Sequence, residues 1–434
     1  MKRRHFFKSM GGAAGSLLFA ASAPVSAFST VSSFIGACSG MPRDEKFWKL
    51  LRKQFLIPSD YAYLNTGGLG SSPLMVINTV KKMMDQEDTH PHAGHSEEDW
   101  WKIKEKYAVF LGPGVKKEEL AYTSTATEGI NIILNGLPLK KGDEVIASTH
   151  EHVALNIPLL NKMKTRGIVL KTFEPDLADA MGNVRRIEKL VTGRTRLIFT
   201  SHITCTTGQV LPVKEIGQLA KSSGIWYALD GVQAVGHLPF NLRDTGVDFY
   251  AFSGHKWLLG PKRTGILYVR EGMQDTLKPT VLGAYSSQQF DIKKRLLEFH
   301  PTAQRYEYGT QNDALFYGLE EALEFIRFIG METILKHNKY LSEMFYKGVQ
   351  KIPAVELLSP ARADSRSSII TFRLKDKNNS TNCERISRML EKKRLRVRNV
   401  TEAHLDGIRA SFHIYNNEEE VERLLGEIRK IAAE

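Results

Sequence analysis

Apolar residues fall along this chain in short unbroken runs, separated by longer stretches in which they recur at helical spacing. Val247, Phe249, Tyr250, Ala251 and Phe252 make one such run, which Gly254 breaks; after Gly260 and Pro261 turn the chain, residues 265–269 make the next. Residues 143–148 (DEVIAS), 196–200 (RLIFT) and 224–229 (GIWYAL) repeat the pattern, and 61–64 is a shorter case. Runs of this length bounded by turn residues predict buried strands. Helices are predicted over 44–56, 74–84, the stretch through Trp100, Trp101 and Tyr107 behind the acidic start Ser96-Glu97-Glu98, roughly 313–329, and 331–352. From 355 to 434 strand, helix and strand alternate (SSIITFRL, TNCERISRMLEKK, LRVRNV) before a closing stretch that begins IRASFHIYNN, the pattern of a small α+β domain.

One residue does not fit a packed hairpin. Lys256 sits between the apolar runs in DFYAFSGHKWLLGP, where a lysine is costly to bury. It either snorkels its head to water or is held as a desolvated, nucleophilic amine. Upstream, the run GIWYAL ends on Asp230, with Gln233 three positions later. Pyridoxal phosphate needs a lysine for its aldehyde, a carboxylate beside its ring nitrogen and a polar cradle for its phosphate. Thr125-Ala126-Thr127-Glu128 has the form of a capping box at a strand-to-helix junction, and free amides at a helix start favour a phosphate.

The segments LDGVQAVGHLPFNL and DFYAFSGHKWLLGPKRTGILYVR resemble the class V aminotransferase group, which includes cysteine desulfurases, kynureninases and isopenicillin N epimerases. YLNTGG, EHVALN and HITCTTGQVLPVKEI look most like the isopenicillin N epimerase-like branch. The resemblance implies an α/β protein of the pyridoxal-phosphate fold type I, with a mostly parallel seven-stranded sheet flanked by helices and a small α+β C-terminal domain. It implies Lys256 on the cofactor aldehyde, Asp230 on the ring nitrogen, His152 stacked on the ring, and Gln233 on the ring hydroxyl. Thr125, the Ala126 backbone, Thr127, Ser253, His255 and Thr310 would cradle the phosphate, Thr310 reaching that of a neighbouring subunit in a homodimer. Arg409 in IRASFHIYN would grip the substrate carboxylate, with Arg398 and Asn65 as further substrate-binding candidates. His150 lies close enough to share the role of His152.

Two departures bear on the reaction. Where desulfurases place an asparagine near the ring, this chain has Cys205, which either lies near the ring or is a small core residue. The loop before Arg409, NVTEAHLDGIR, lacks the thiol a desulfurase needs. The expected activity is therefore amino transfer or epimerisation at Cα of an amino acid. The alternatives are a C–S or Cβ-elimination lyase and a non-catalytic cofactor-binding protein. Tyr285, His300 and Tyr306 are conceivable pocket liners.

Composition adds limits. At 434 residues, with 42% hydrophobic and 25% charged residues, the chain is long enough for two domains with a large core. Four charges of its +12 net excess (Lys2, Arg3, Arg4, Lys8) lie in the first residues, and no nucleic-acid-binding motif accompanies the rest. KRRHFFK, the weakly apolar stretch 10–21 and Val25-Ser26-Ala27 read as a twin-arginine signal peptide over 1–27, too short for a stable membrane span. This predicts handling by the twin-arginine translocation machinery and a periplasmic location; Ile35-Gly36-Ala37-Cys38, a loose lipobox, offers lipid anchoring through Cys38 instead. The segment 28–43 reads as a flexible linker, 44–73 as an N-terminal segment, 74–304 as the large cofactor-binding domain, and 305–434 as bridging helices and the small domain. Three cysteines imply no disulfide framework. HPHAGH (90–95) lacks metal-ligand spacing and reads as an entrance loop, so no metal is expected.

Overall fold

The computed structural model of the chain describes residues 28–91 and 96–434. Its main sheet has seven strands: β1 (Leu120–Thr123), β2 (Glu144–Ser148), β3 (Val169–Phe173), β4 (Thr195–Ser201), β5 (Trp226–Asp230), β6 (Phe249–Ser253) and β7 (Gly265–Val269). Their spatial order is β1-β7-β6-β5-β4-β2-β3. Five run parallel, from β6 to β3, and β7 runs antiparallel to β6 and β1.

The unbroken apolar runs follow from burial on both faces. Tyr250 and Phe252 of β6 point into one core cluster, Phe249 and Ala251 into the other; Tyr227 and Leu229 oppose Ala228 in the same way. The edge strand β3 is half-exposed and carries Lys171 and Thr172, so its mixed sequence gave no such signal. The parallel strands end together, which brings Ser148, Ser201, Asp230 and Ser253 to one rim. In an open α/β sheet that rim is where ligands bind.

The small domain is an antiparallel sheet of Val355–Leu357, Ile369–Leu374, Gly407–Ser411 and Arg398–Val400, in that order. Helices Met331–Gln350, Ser380–Lys392 and Glu418–Ala433 cover it. LRVRNV, expected as one strand, changes partner midway. Leu395–Arg396 pairs with Ala62–Tyr63 of the N-terminal segment, and Arg398–Val400 pairs with Gly407–Ser411.

The segment 28–43 is not the expected flexible linker. Thr30 caps a helix, Val31–Cys38, whose Val31, Phe34 and Cys38 are buried. The Phe34 ring lies 5.4 Å from Phe325 and 5.8 Å from Phe328, on helix Asp313–Ile329. Apolar residues at helical spacing supplied a face to bury. The signal-peptide reading of 1–27 falls outside the described residues, as do positions 92–95 of HPHAGH. Among the described residues no helix is long and apolar enough to cross a membrane, and no group of side chains is set to hold a metal ion.

Candidate active site

Lys256 stands in the turn between β6 and β7, only 9% exposed. The glycine-rich segment after Asn65 packs directly on it. The Gly70 amide donates to the His255 carbonyl at 2.7 Å, and a Cβ on Gly70 would fall 2.0 Å from the Lys256 carbonyl oxygen. That approach demands glycine. Burial pushes the Lys256 amine down to about 8, against the pull of Asp230 and with Arg409 and Arg398 assisting. It is the desolvated amine, not a snorkelling head.

Asp230 closes β5, and its Oδ1 accepts the Val232 amide at 2.9 Å. Burial raises its pKa, and no arginine or lysine forms an ion pair with it among the described residues. A buried carboxyl so placed suits a protonated ring nitrogen. Gln233 gives one amide proton to the Gly67 carbonyl (2.9 Å) and accepts from the Trp257 indole (2.8 Å), leaving its second proton for the cavity. His152 caps helix Val153–Arg166; its Nδ1 accepts the Ala154 amide at 3.1 Å. Burial, then Lys256 and Arg398, hold the ring's pKa down to about 4, so His152 is neutral, with its proton on Nε2. His150 instead turns its Nε2 to Glu174, 3.1 Å away.

Lys256, Asp230, Gln233 and His152, but not His150, line one cavity of about 240 Å³, together with Cys205, Ser201 and Gly68. Its other end is formed by Thr125, Ala126, Thr127, Ser253 and His255 at the start of helix Ala126–Gly136. The capping box is half-formed. Thr125 Oγ1 accepts the Glu128 amide at 3.3 Å, but the Glu128 carboxylate bonds the amide and hydroxyl of Ser124 (2.6 Å each), not Thr125. The Ala126 amide, expected at the phosphate, donates to Ser253 Oγ at 2.9 Å. His255 Nδ1 is buried without a partner at this end. An orphaned ring nitrogen among hydroxyls at a helix start fits a phosphate, and the lysine and carboxyl at the other end fit the aldehyde and ring nitrogen. The residues present suit pyridoxal phosphate.

Arg409 is buried; its Nη1 donates to the Cys205 carbonyl (2.6 Å) and its Nη2 to Asn65 Oδ1 (3.2 Å), while Nε has no partner. Asn65 therefore orients Arg409, a different task from the substrate contact expected of it. Cys205 contributes its carbonyl; burial pushes its thiol up to about 11, which makes it a poor nucleophile at neutral pH. Arg398 is half-buried, paired with Glu402, and has an unpartnered Nη1. Thr310 is exposed, away from the chain's own cavity. Tyr285, His300 and Tyr306 do not line the cavity. Tyr306 is a core residue whose hydroxyl donates to the Leu277 carbonyl at 2.8 Å. Sequence reasoning missed Ser201, although it ends β4 as Asp230 ends β5, and assigned no role to Glu151, whose burial no sequence pattern marked.

The family model for aminotransferase class-V matches residues 63–424. The chain belongs to the class-V family. A probable cysteine desulfurase of Methanothermobacter thermautotrophicus is 29% identical over 396 residues, 87% of this chain and 96% of that one. A cysteine desulfurase of Serratia proteamaculans is 27% identical, covering 85% and 93%. Among solved structures, the cystine C–S lyase C-DES bound to its product cysteine persulfide gives a TM-score of 0.76 at 25% identity, covering 86% of this chain and 98% of that one. A C-DES mutant with glycine covalently linked to its pyridoxal phosphate gives 0.78 at 26% identity, covering 87% and 98%. This class-V protein is thus a pyridoxal-phosphate enzyme of fold type I. These relatives are desulfurases and a C–S lyase, and the likeness they show is to those, with nothing in them that bears on the epimerase-like branch.

Proposed function

We propose that this class-V enzyme is a lyase that removes a sulfur-bearing group from Cβ of an amino acid and releases it as a small molecule. The observation that carries the reading is the state of its cysteines. Cys38, Cys205 and Cys383 are all buried, and none lies between Arg398 and Arg409. An acceptor thiol for sulfur transfer is missing, while Lys256, Asp230 and Arg409 are in place. The names of the relatives support elimination, the second reading of the sequence, over amino transfer or epimerisation, the first.

Lys256 would hold the cofactor covalently, Asp230 its ring nitrogen, His152 one ring face, and the Thr125–Thr127 turn with Ser253 and His255 its phosphate. Bound pyridoxal phosphate supplies an electron sink for the charge left at Cα. Arg409 fixes the substrate carboxylate through its free Nε. The Lys256 amine, once free, takes the Cα proton, and its lowered pKa of about 8 brings the neutral, basic form far nearer to neutral pH than in an ordinary lysine. The Cβ–S bond then breaks with the electron pair leaving on sulfur. Incubation with cystine and cysteine tests this: pyruvate and ammonia with a released thiol or persulfide are expected. Alanine with sulfur left on the protein, Cα inversion in heavy water, or pyridoxamine phosphate with a keto acid would each overturn it, and an absorbance band that no amino acid shifts would point to a non-catalytic binder.

The enzyme is read as a homodimer. The hairpin of Ser287–Asp291 and Leu296–Phe299 exposes Phe290 (73%) and Ile292 (86%), and exposed Thr310 would serve the partner's phosphate. Export by the twin-arginine route rests on the KRRHFFK opening, and cell fractionation tests it. Lipid anchoring is disfavoured: Cys38 is fully buried at the end of helix Val31–Cys38, which a cut before it would remove.

A further inference from the structure

A second carboxyl lies at the Asp230 end of the cavity. Glu151 is fully buried; its Oε1 accepts from Ser148 Oγ at 2.6 Å and its Oε2 lies in hydrogen-bond contact with Ser201 Oγ. Ser201 is the register partner of Asp230 across β4 and β5, and it lines the cavity. Glu151 therefore touches the cavity wall through one hydroxyl.

The charge around Glu151 is sparse. Titratable neighbours facing it are Asp230 and Tyr227, both on β5. In the chain it is flanked by His150, whose ring turns to Glu174, and by neutral His152. No lysine or arginine forms an ion pair with it among the described residues. Hydroxyl donors stabilise its carboxylate, while burial and the negative Asp230 oppose ionisation.

We propose that Glu151 and Ser201 form a hydroxyl relay from a buried acid to the cofactor cavity, in which the charge of Glu151 sets which way the Ser201 proton points. With Glu151 protonated, the acid donates to Ser201 Oγ and the serine hydroxyl turns its own proton to the cavity. With Glu151 ionised, Ser201 donates back to the carboxylate and presents only lone pairs. Each change moves one proton along the relay, and no bond to carbon is made or broken. Glu151 is a positioning residue, acting on the cofactor through Ser201 and through the field at Asp230. The balance of burial against hydroxyl donors leaves it titrating at about 7. The inference rests on cofactor binding and not on the lyase reading, so it stands or falls without turnover.

The test is a pH titration of the holoenzyme's absorbance without substrate. Wild type is expected to show a near-neutral step. Glu151→Gln should abolish that step while borohydride still labels Lys256, and Ser201→Ala, which breaks the relay and removes a donor to the carboxylate, should shrink the step and move what the field at Asp230 leaves of it up by roughly one pH unit. Superimposed titrations of wild type and Glu151→Gln would overturn the proposal. If Glu151→Gln does not load cofactor, infrared spectra of glutamate-labelled wild type decide. A carboxylic-acid band that vanishes through the same pH range in wild type and persists to higher pH in Ser201→Ala supports the proposal, and one that Ser201→Ala leaves unmoved would overturn it. A carboxyl ionised throughout would overturn it.

Discussion

Arg398 and Arg409 stand in register across adjacent antiparallel strands of the small domain, so both side chains leave the same face of the sheet and the charge of one acts on the other. Glu402 neutralises the first, and Asn65 and the Cys205 carbonyl orient the second. Burial and Arg398 bring Arg409 down to about 10, so it keeps its charge at neutral pH. Arg409→Lys preserves the charge and loses the fork. The expected loss in kcat/KM is about 1.5–3 kcal/mol, carried mainly by KM, with the bound-cofactor spectrum unchanged. Steady-state kinetics check this.

The Lys256 amine makes the stability of the cofactor-free protein depend on pH. Its folded pKa, about 8, lies below the ordinary 10.5, so between those values the unfolded chain binds more protons and stability rises with pH. Below pH 8 both states are protonated and the full penalty of burying the ammonium remains. Cofactor-free Lys256→Met should therefore be about 2–3 kcal/mol more stable than wild type at pH 7, the difference shrinking toward pH 10.5. Denaturant melts at several pH values measure it.

Gly70 has no room for a side chain beside the Lys256 carbonyl. Gly70→Ala must push the lysine turn or the 65–72 segment aside. A cost of about 1–3 kcal/mol in stability and reduced cofactor occupancy are expected, read by thermal unfolding and by absorbance of the purified protein.

Lys104 and Glu307 form an ion pair at 2.7 Å with both side chains buried, and Glu307 also accepts the Tyr122 amide at 2.7 Å. Lys104→Met leaves that carboxylate uncompensated and should cost about 3–5 kcal/mol. Lys104→Met with Glu307→Gln should recover part of the loss, because the amide can still accept from Tyr122. Chemical denaturation of the single and double variants checks the sign.

The hairpin that exposes Phe290 and Ile292 is the proposed dimer contact. Phe290→Asp with Ile292→Asp should shift sedimentation to the monomer and weaken cofactor retention, because Thr310 would no longer be presented to a partner.

The fold's inner strands were legible because each is buried on both faces, so burial left an unbroken apolar run in the sequence. β3 was not: a half-exposed edge strand carries no run and no clean alternation. Helix Val31–Cys38 is hard to read in the sequence because its apolar face is short and shows its purpose only where Phe34 packs against Phe325 and Phe328.

At the site, the residue types of Lys256, Asp230 and the Thr125–Thr127 turn announced their chemistry, since a cofactor of this kind admits few substitutes for an amine, a carboxyl and a helix start, whereas Gln233 and His152 were legible only through the family resemblance. Their convergence on one cavity, the use of Asn65 and the Cys205 backbone to aim Arg409, and the burial of Glu151 depend on residues far apart in the chain. Sequence determined which reactive groups exist and which runs must be buried, because those are properties of single residues and their near neighbours. Tertiary packing decided which groups meet, which lose water and which are spent holding others in place, because desolvation and hydrogen-bond geometry arise only when distant segments close around them.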